Sequence, residues 1–204
     1  MQIQKEDSKE RILKVAKEEF LIKGFKDASM RVIAKKSGVG LSNIYNYFRN
    51  KDEIFCEVMS SVLAAFRKMV DDHNAPEHIN LNVFTNSDFQ HIMINDFLGL
   101  INKYRQELKL LLFYSHGSSL ENFKEEFIQE STETGKAYLQ KMKEKYPHLN
   151  SNISPFFIHT ISSMWMNIIG EVVTHDELLD SEIEDFVREY IAFSTAGWKR
   201  LMKA

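Results

Sequence analysis

The amino-acid sequence predicts an all-α fold, and three observations lead there. Apolar residues make up 44% of the 204, and they recur at the three- and four-residue spacing of helices with a buried face. Only three prolines and eight glycines punctuate the chain, so its helices can run long. The one faint strand pattern is residues 79–85. About nine helices are expected, the first three forming a small head.

Helix one is expected over about residues 7 to 22, with Asp7 or Ser8 as its cap and Ile12, Leu13, Ala16 and Phe20 on its apolar side. Gly24 supplies a left-handed stop. Helix two begins after Ser29, whose hydroxyl is placed to cap the free amides of the next turn. It carries Val32, Ile33 and Ala34 inward and ends near Gly38. Helix three spans about 41 to 47 and buries Ile44 and Phe48. Asn50 caps helix four, about 51 to 72, whose first turn holds Asp52 and Glu53, as the helix dipole favours. The Asn-rich stretch from 74 to 87, with Pro76, reads as an interdomain loop. Helices follow at about 88–103, 104–114, 119–145, 153–174 and 181–203, the last four separated at Gly117, Pro147-His148 and 175–180. The domains are then 1–50 and 51–204.

Composition excludes several classes. The single cysteine, Cys56, rules out a disulfide framework and a cysteine-based zinc site within one chain, and implies a reducing, cytoplasmic setting. The N-terminus lacks the apolar core of a signal peptide. No uninterrupted apolar run reaches the length of a membrane span, the longest being 110–114. Charge is divided unevenly. Residues 1–51 hold 12 Lys and Arg against 6 Asp and Glu, and residues 52–204 hold 14 against 23. A head of +6 on a body of −9 suggests that the head meets a polyanion.

Helices two and three, joined by Ser37-Gly38-Val39-Gly40, have the form of a helix-turn-helix between Met30 and Arg49. Val32, Ile33, Val39, Ile44 and Phe48 hold the crossing. Leu41, Ser42, Asn43, Tyr45, Asn46 and Tyr47 are left at or near the outer face. Asn and Ser can bond base edges, and leucine can press on a thymine methyl. Tyrosine hydroxyls and Lys51 suit phosphate oxygens.

At these residues a resemblance becomes specific. Gly24-Phe25, Ser29-Met30, Ile33-Ala34, Ser37-Gly38-Val39, Ile44-Tyr45, Tyr47-Phe48 and Lys51-Asp52-Glu53-Ile54 together resemble the TetR/AcrR family of bacterial regulators over about residues 7 to 66. The resemblance implies an all-helical homodimer that binds double-stranded DNA at a palindrome and carries a variable effector-binding body. It places Tyr45, Tyr47 and Lys51 on the phosphate backbone, Ser29 and Arg31 near phosphates, and Leu41, Ser42 and Asn43 near bases. Two positions depart from the family pattern. Gly40 stands where Ser or Thr is usual, and Ser42 where Gly is frequent, which bears on the operator sequence.

In the body, the helix at 153–174 presents Phe156, Phe157, Ile161, Met164, Trp165, Ile168, Ile169 and Val172. The last helix presents Ile183, Phe186, Val187, Tyr190, Ile191, Phe193, Trp198, Leu201 and Met202. Both are apolar on more than one face, which fits a dimer interface built from the two. The family implies an effector pocket, for which Phe97, Ile101, Tyr104, Phe113, Tyr114, His116, Phe127, Trp165 and Met166 are candidates. Few basic residues lie on the most apolar helices, which favours a neutral or cationic ligand over an anionic one. No cofactor is implied. An enzyme is the contrasting reading. Its support is Glu171 and His175, four apart on one helical face beside Asp176, a spacing that can hold a metal but more often serves a helix surface or cap. A third reading is a DNA-binding dimer with a protein partner or no ligand at all.

Overall fold

The computed structural model describes residues 2–73, 75, 78–84 and 87–204. The described residues form eight α-helices and no strand. The helices are α1 (Gln2–Asp27), α2 (Met30–Ser37), α3 (Leu41–Ile44), α4 (Lys51–His73), α5 (Ser87–Phe113), α6 (Phe123–Lys145), α7 (Pro155–Thr174) and α8 (Asp180–Met202). Of the loop expected between 74 and 87, Asn74, Pro76, Glu77, Thr85 and Asn86 lie outside the described residues. Its described part includes a 3-10 turn at Leu81–Phe84, where the faint strand pattern fell. The count is eight rather than nine because the segments expected at 88–103 and 104–114 are one helix. That helix, α5, is kinked at Tyr104 (φ −126°, ψ 19°), where the sequence places the break.

Two compact units result: Met1–Ala64 with Gln106–Phe123, and Ala65–Arg105 with Lys124–Ala204. The first half of α4 belongs to the head, because Ile54, Phe55, Met59 and Val62 are all buried. The ring of Phe55 packs edge-on to Phe20 and Phe25 at 5.1 and 5.0 Å.

In the first unit, α1 places Ile12, Ala16 and Phe20 inward at helical spacing, all fully buried. It breaks at Gly24, with φ 70° and ψ 170°, a region essentially closed to residues with a Cβ. The amide of Phe25, freed by that break, donates to the carbonyl of Tyr114 at 2.8 Å. Helix α2 ends on Gly38 in the left-handed conformation (φ 69°, ψ 17°), as a Cβ-free stop allows. Helix α4 starts as its sequence demands. The side-chain oxygen of Asn50 accepts from the Glu53 amide at 2.8 Å, and the Glu53 carboxylate accepts from the Arg49 amide.

The second unit contains a core of Leu139, Met142, Leu149, Ile158 and Met202, with Tyr138, Tyr146, Ile153 and Trp198 against it. Helix α6 approaches α7 closely at Gly135, where an added Cβ would lie 3.0 Å from Ile158 Cγ2. Helix α8 begins with the Glu182 carboxylate accepting from the Leu179 amide at 2.9 Å. It ends with Asn150 bonded to the carbonyls of Leu201 and Met202. By length and composition α7 is apolar enough to cross a bilayer. His159, Thr160, Ser162, Ser163, Asn167 and Glu171 interrupt its apolar residues, so it holds no long unbroken apolar run.

The Gly24 backbone yields the first prediction. Gly24→Ala should destabilise the chain by about 2 kcal/mol, since alanine is forced into a glycine-only conformation. The thermal midpoint, followed by circular dichroism, should fall by about 4–8 °C.

Candidate functional site

The head's polar face is built by a very short helix. Helix α3 has only four α-helical residues and continues as tight turns, with Tyr47 N–H to Ile44 carbonyl at 2.9 Å and Asn46 N–H to Asn43 carbonyl at 3.1 Å. So short a helix is unstable alone. Ile44 and Phe48 anchor it, both essentially buried, and Val39 is buried just before it. With those side chains turned inward, Ser42, Asn43, Tyr45 and Asn46 are exposed, Tyr45 to 50%, while Leu41 and Tyr47 are half-buried. Arg31 is exposed on α2. A groove of about 490 Å³ runs along this face between Ser8 and Arg11 of α1 on one side and Gly38, Val39, Gly40, Asn43, Asn46 and Tyr47 on the other. Its polar lining and its basic flank suit a phosphate-bearing strand edge.

Two expected roles are altered. The Ser29 hydroxyl makes no capping bond; the Ser29 carbonyl instead accepts from the Ile33 amide at 3.0 Å. The ammonium of Lys51 does not face outward. It donates to the carbonyls of Phe25, Lys26 and Ala28 at 2.6, 3.0 and 3.1 Å, and lies 4.5 Å from the centre of the Phe25 ring. Burial pushes its pKa down from the usual lysine range, with the charge of Asp27 opposing. All three of its donors are engaged, so a phosphate on the side chain would have to displace carbonyls. Arg11 is the residue that sequence reasoning missed. It sits next to the apolar position Ile12 on α1, and its nearness to the turn is tertiary. The basic surplus of the head was the only signal available.

The second unit holds a cavity of about 630 Å³. Its walls come from α4, the 81–84 turn and helices α5 to α8, and include Met69, Phe84, Phe89, Met93, Phe97, Phe127, Tyr138, Trp165, Phe186, Tyr190 and Trp198. Helices that diverge around bulky aromatic side chains leave such a space when no side chain is long enough to fill it.

Comparison with known proteins bears on both sites. Residues 12–58 match the family model of the bacterial regulatory proteins of the tetR family. The HTH-type transcriptional regulator YdgC of Bacillus subtilis is 37% identical over 65 residues, 32% of this chain and 33% of that protein. The match therefore spans about a third of the relative's length. A TetR-like transcriptional regulator from Rhodococcus sp. RHA1 shares the fold over 93% of this chain and 96% of its own, with a TM-score of 0.64 at 18% identity. NalD, the secondary repressor of the MexAB-OprM multidrug efflux pump in Pseudomonas aeruginosa, does so over 97% of both chains, with a TM-score of 0.63 at 18% identity. Residues 12–58 are therefore similar to the tetR family of bacterial regulatory proteins, and the rest of the chain shares only the fold of these solved structures.

The expected pocket residues divide. Phe97, Phe127 and Trp165 line the cavity. Ile101 and Met166 are buried but do not line it. Tyr104 sits at the α5 kink, its ring beneath the ammonium of Lys103 at 5.0 Å. Phe113, Tyr114 and His116 belong to the other unit. The first is half exposed, the second offers its carbonyl to Phe25, and the third pairs with Glu121 at 3.1 Å. These three were misplaced because α5 continues past its kink into the head unit. Tyr138, Tyr190 and Trp198 were missed because apolar periodicity cannot separate a cavity wall from a packed core. At Glu171 and His175, the imidazole Nδ1 lies 2.8 Å from the Glu171 carbonyl, and Arg105 caps the same helix end through the carbonyls of Val172 and His175. Among the described residues, no three metal-ligating side chains converge.

The role of Lys51 is testable. Lys51→Met removes three charge-assisted hydrogen bonds while keeping the aliphatic stem. It should cost about 2 kcal/mol in a urea denaturation series. Were its main role to hold phosphate, stability would stay unchanged.

Proposed function

We propose that this chain is a sequence-specific DNA-binding transcriptional regulator. In this reading it is a cytoplasmic, non-enzymatic repressor that binds a palindromic operator as a homodimer and leaves it when a small apolar effector occupies the body. The single observation that carries the proposal is the outer face of α3. A short helix pinned by Ile44 and Phe48 turns Ser42, Asn43, Tyr45 and Asn46 to solvent, flanked by Arg11 and Arg31. A rigid polar face of this kind on a +6 head has the chemistry for base edges and phosphates. Asn43 and Ser42 take the bases, with Leu41 beside them. Tyr45, Tyr47 and Arg31 take phosphates, with Ser29 near them and the Lys51 backbone amide at the start of α4.

Dimerisation is supported by α7 and α8. Phe156 and Phe193 are exposed to 76% and 71%, and Phe157, Phe186 and Leu201 are also exposed. Large apolar side chains gathered on two long helices mark an interaction surface. A second copy there would set two heads on one palindrome, which a single short helix cannot read alone. In repression and release, the effector would favour a conformation of the dimer whose two heads no longer match successive grooves.

Selection from a random DNA library at low salt should enrich a short palindrome, with affinity falling steeply as salt rises. Absence of any enriched palindrome would refute the DNA reading. Arg31→Ala should weaken all sequences alike and reduce the salt slope by about one, whereas Asn43→Ala should relax preference at one base pair of each half-site by about 1–3 kcal/mol. Phe193→Glu, at an exposed position, should leave helicity intact and convert dimer to monomer in sedimentation equilibrium. A dimer that persists would place the interface elsewhere.

A further inference from the structure

The outer face of α3 and the turns after it carry a narrow chemistry. Ser42, Asn43 and Asn46 are exposed and Leu41 is half-buried, and residues 41–48 include no Lys or Arg. The nearest basic side chains are engaged elsewhere. Arg49 pairs with Glu53 at 3.6 Å, and Arg11, across the groove, donates to the Ser8 hydroxyl at 3.2 Å. In a major groove, guanine is read by Arg or Lys, adenine by the side-chain amide of Asn or Gln, and the thymine methyl by an apolar group. An amide with a leucine two residues before it is therefore matched to an A·T pair rather than to G·C.

The residue three before Asn43 decides whether that amide is free. Gly40 precedes α3 with φ −55° and ψ 143°, close to an extended conformation that residues with a Cβ adopt without strain. The backbone therefore does not call for glycine there, and neither does packing. A Cβ added at Gly40 would meet Asn43 Nδ2 at 3.8 Å, an ordinary contact distance. The contact shows what the missing side chain changes. A serine at this position would bring a capping hydroxyl beside the Asn43 amide, and a hydroxyl can both donate to and accept from an amide. With glycine, α3 starts on backbone bonds alone, the Gly40 carbonyl accepting from the amides of Asn43 and Ile44 at 2.8 and 3.1 Å. The Asn43 side chain lines the groove with no capping group holding it.

We infer that Asn43 reads an adenine in each half-site through its side-chain amide, and that Gly40 is the positioning residue that leaves this amide free to do so. This rests on the DNA reading proposed above.

The full chain is first used to select a palindrome from a random DNA library. Kd is then measured on that palindrome and on versions with each base pair of the half-site exchanged in turn, for the unaltered chain and for Asn43→Ala. The pair that Asn43→Ala ceases to discriminate should be A·T, with G·C there bound about tenfold more weakly by the unaltered chain. Gly40→Ser should leave the thermal midpoint no lower and the salt slope unchanged, yet reduce discrimination at that pair about fivefold. In the Asn43→Ala background the same serine should change nothing at that pair. Gly40→Ala adds the Cβ without the hydroxyl and should keep the discrimination. A G·C pair at the Asn43-dependent position, or no such position, overturns the adenine assignment. Unchanged discrimination in Gly40→Ser, an equal loss in Gly40→Ala, or a loss of affinity alike for all sequences overturns the role of Gly40. In each of these cases a palindrome is still enriched and the DNA reading stands; if none is enriched, the DNA reading falls and the inference falls with it.

Discussion

The head depends on one ammonium group. A helix that ends leaves carbonyls without intrahelical partners, and buried ones must find donors. The break at Gly24 creates such a set, and Lys51 reaches back from the start of α4 to the carbonyls of Phe25, Lys26 and Ala28. One charge thereby satisfies three acceptors and ties the end of α1 to the beginning of α4. Helices α2 and α3 lie between those two points in sequence, so the tie closes the helix-turn-helix into a loop fixed at both ends. The Phe25 ring beneath the ammonium belongs to the Phe20, Phe25 and Phe55 cluster. The polar clamp is thus seated on the aromatic core, and partial burial lowers the pKa of Lys51.

That fixation explains how a four-residue helix can hold its shape. An isolated helix of that length would not persist, and α3 gains its order from Ile44, Phe48 and Val39 in the core. Its outward side chains are then free to be polar. The altered cap at Gly40 is consistent with this division. The Gly40 carbonyl accepts from the amides of Asn43 and Ile44 at 2.8 and 3.1 Å. Backbone geometry starts the helix without a side-chain cap, and Ser42 is left exposed.

The legible parts of the sequence were those governed by local rules. Gly24 and Gly38 announced helix ends, Asn50 with Glu53 announced the start of α4, and the Ile12, Ala16 and Phe20 spacing announced the buried side of α1. What could not be read were features made by tertiary approach. Lys51 looks like any basic residue before an acidic helix start, and only the fold shows three carbonyls within its reach. Arg11 meets the turn across a gap of about thirty residues. The pocket set mixed cavity residues such as Phe97 and Trp165 with Phe113 and His116, because one continuous α5 serves both units and its kink at Tyr104 does not change the apolar pattern. Tyr190 and Phe186 read as interface or core in sequence, and in the fold they wall a cavity.

That last point bears on how ligand and assembly could be linked. On α8, Tyr190 lines the cavity, and Phe193, three residues further along the same helix, stands out in solvent. Phe186 does both, lining the cavity while remaining partly exposed. On α7, Trp165 and Ile161 line the cavity, and Phe156, about one and a half to two and a half turns before them, is exposed. A helix moves as a rigid element more readily than its two faces move apart, because its packed interior resists local deformation. In the proposed dimer, a ligand wedged against the Trp165, Tyr190 and Phe186 rings would therefore shift the same helices whose outer phenylalanines are exposed. Differential affinity for two arrangements of these helices is all that such coupling requires, and two helices with one apolar face in a cavity and another exposed would supply a physical route for it in the proposed dimer.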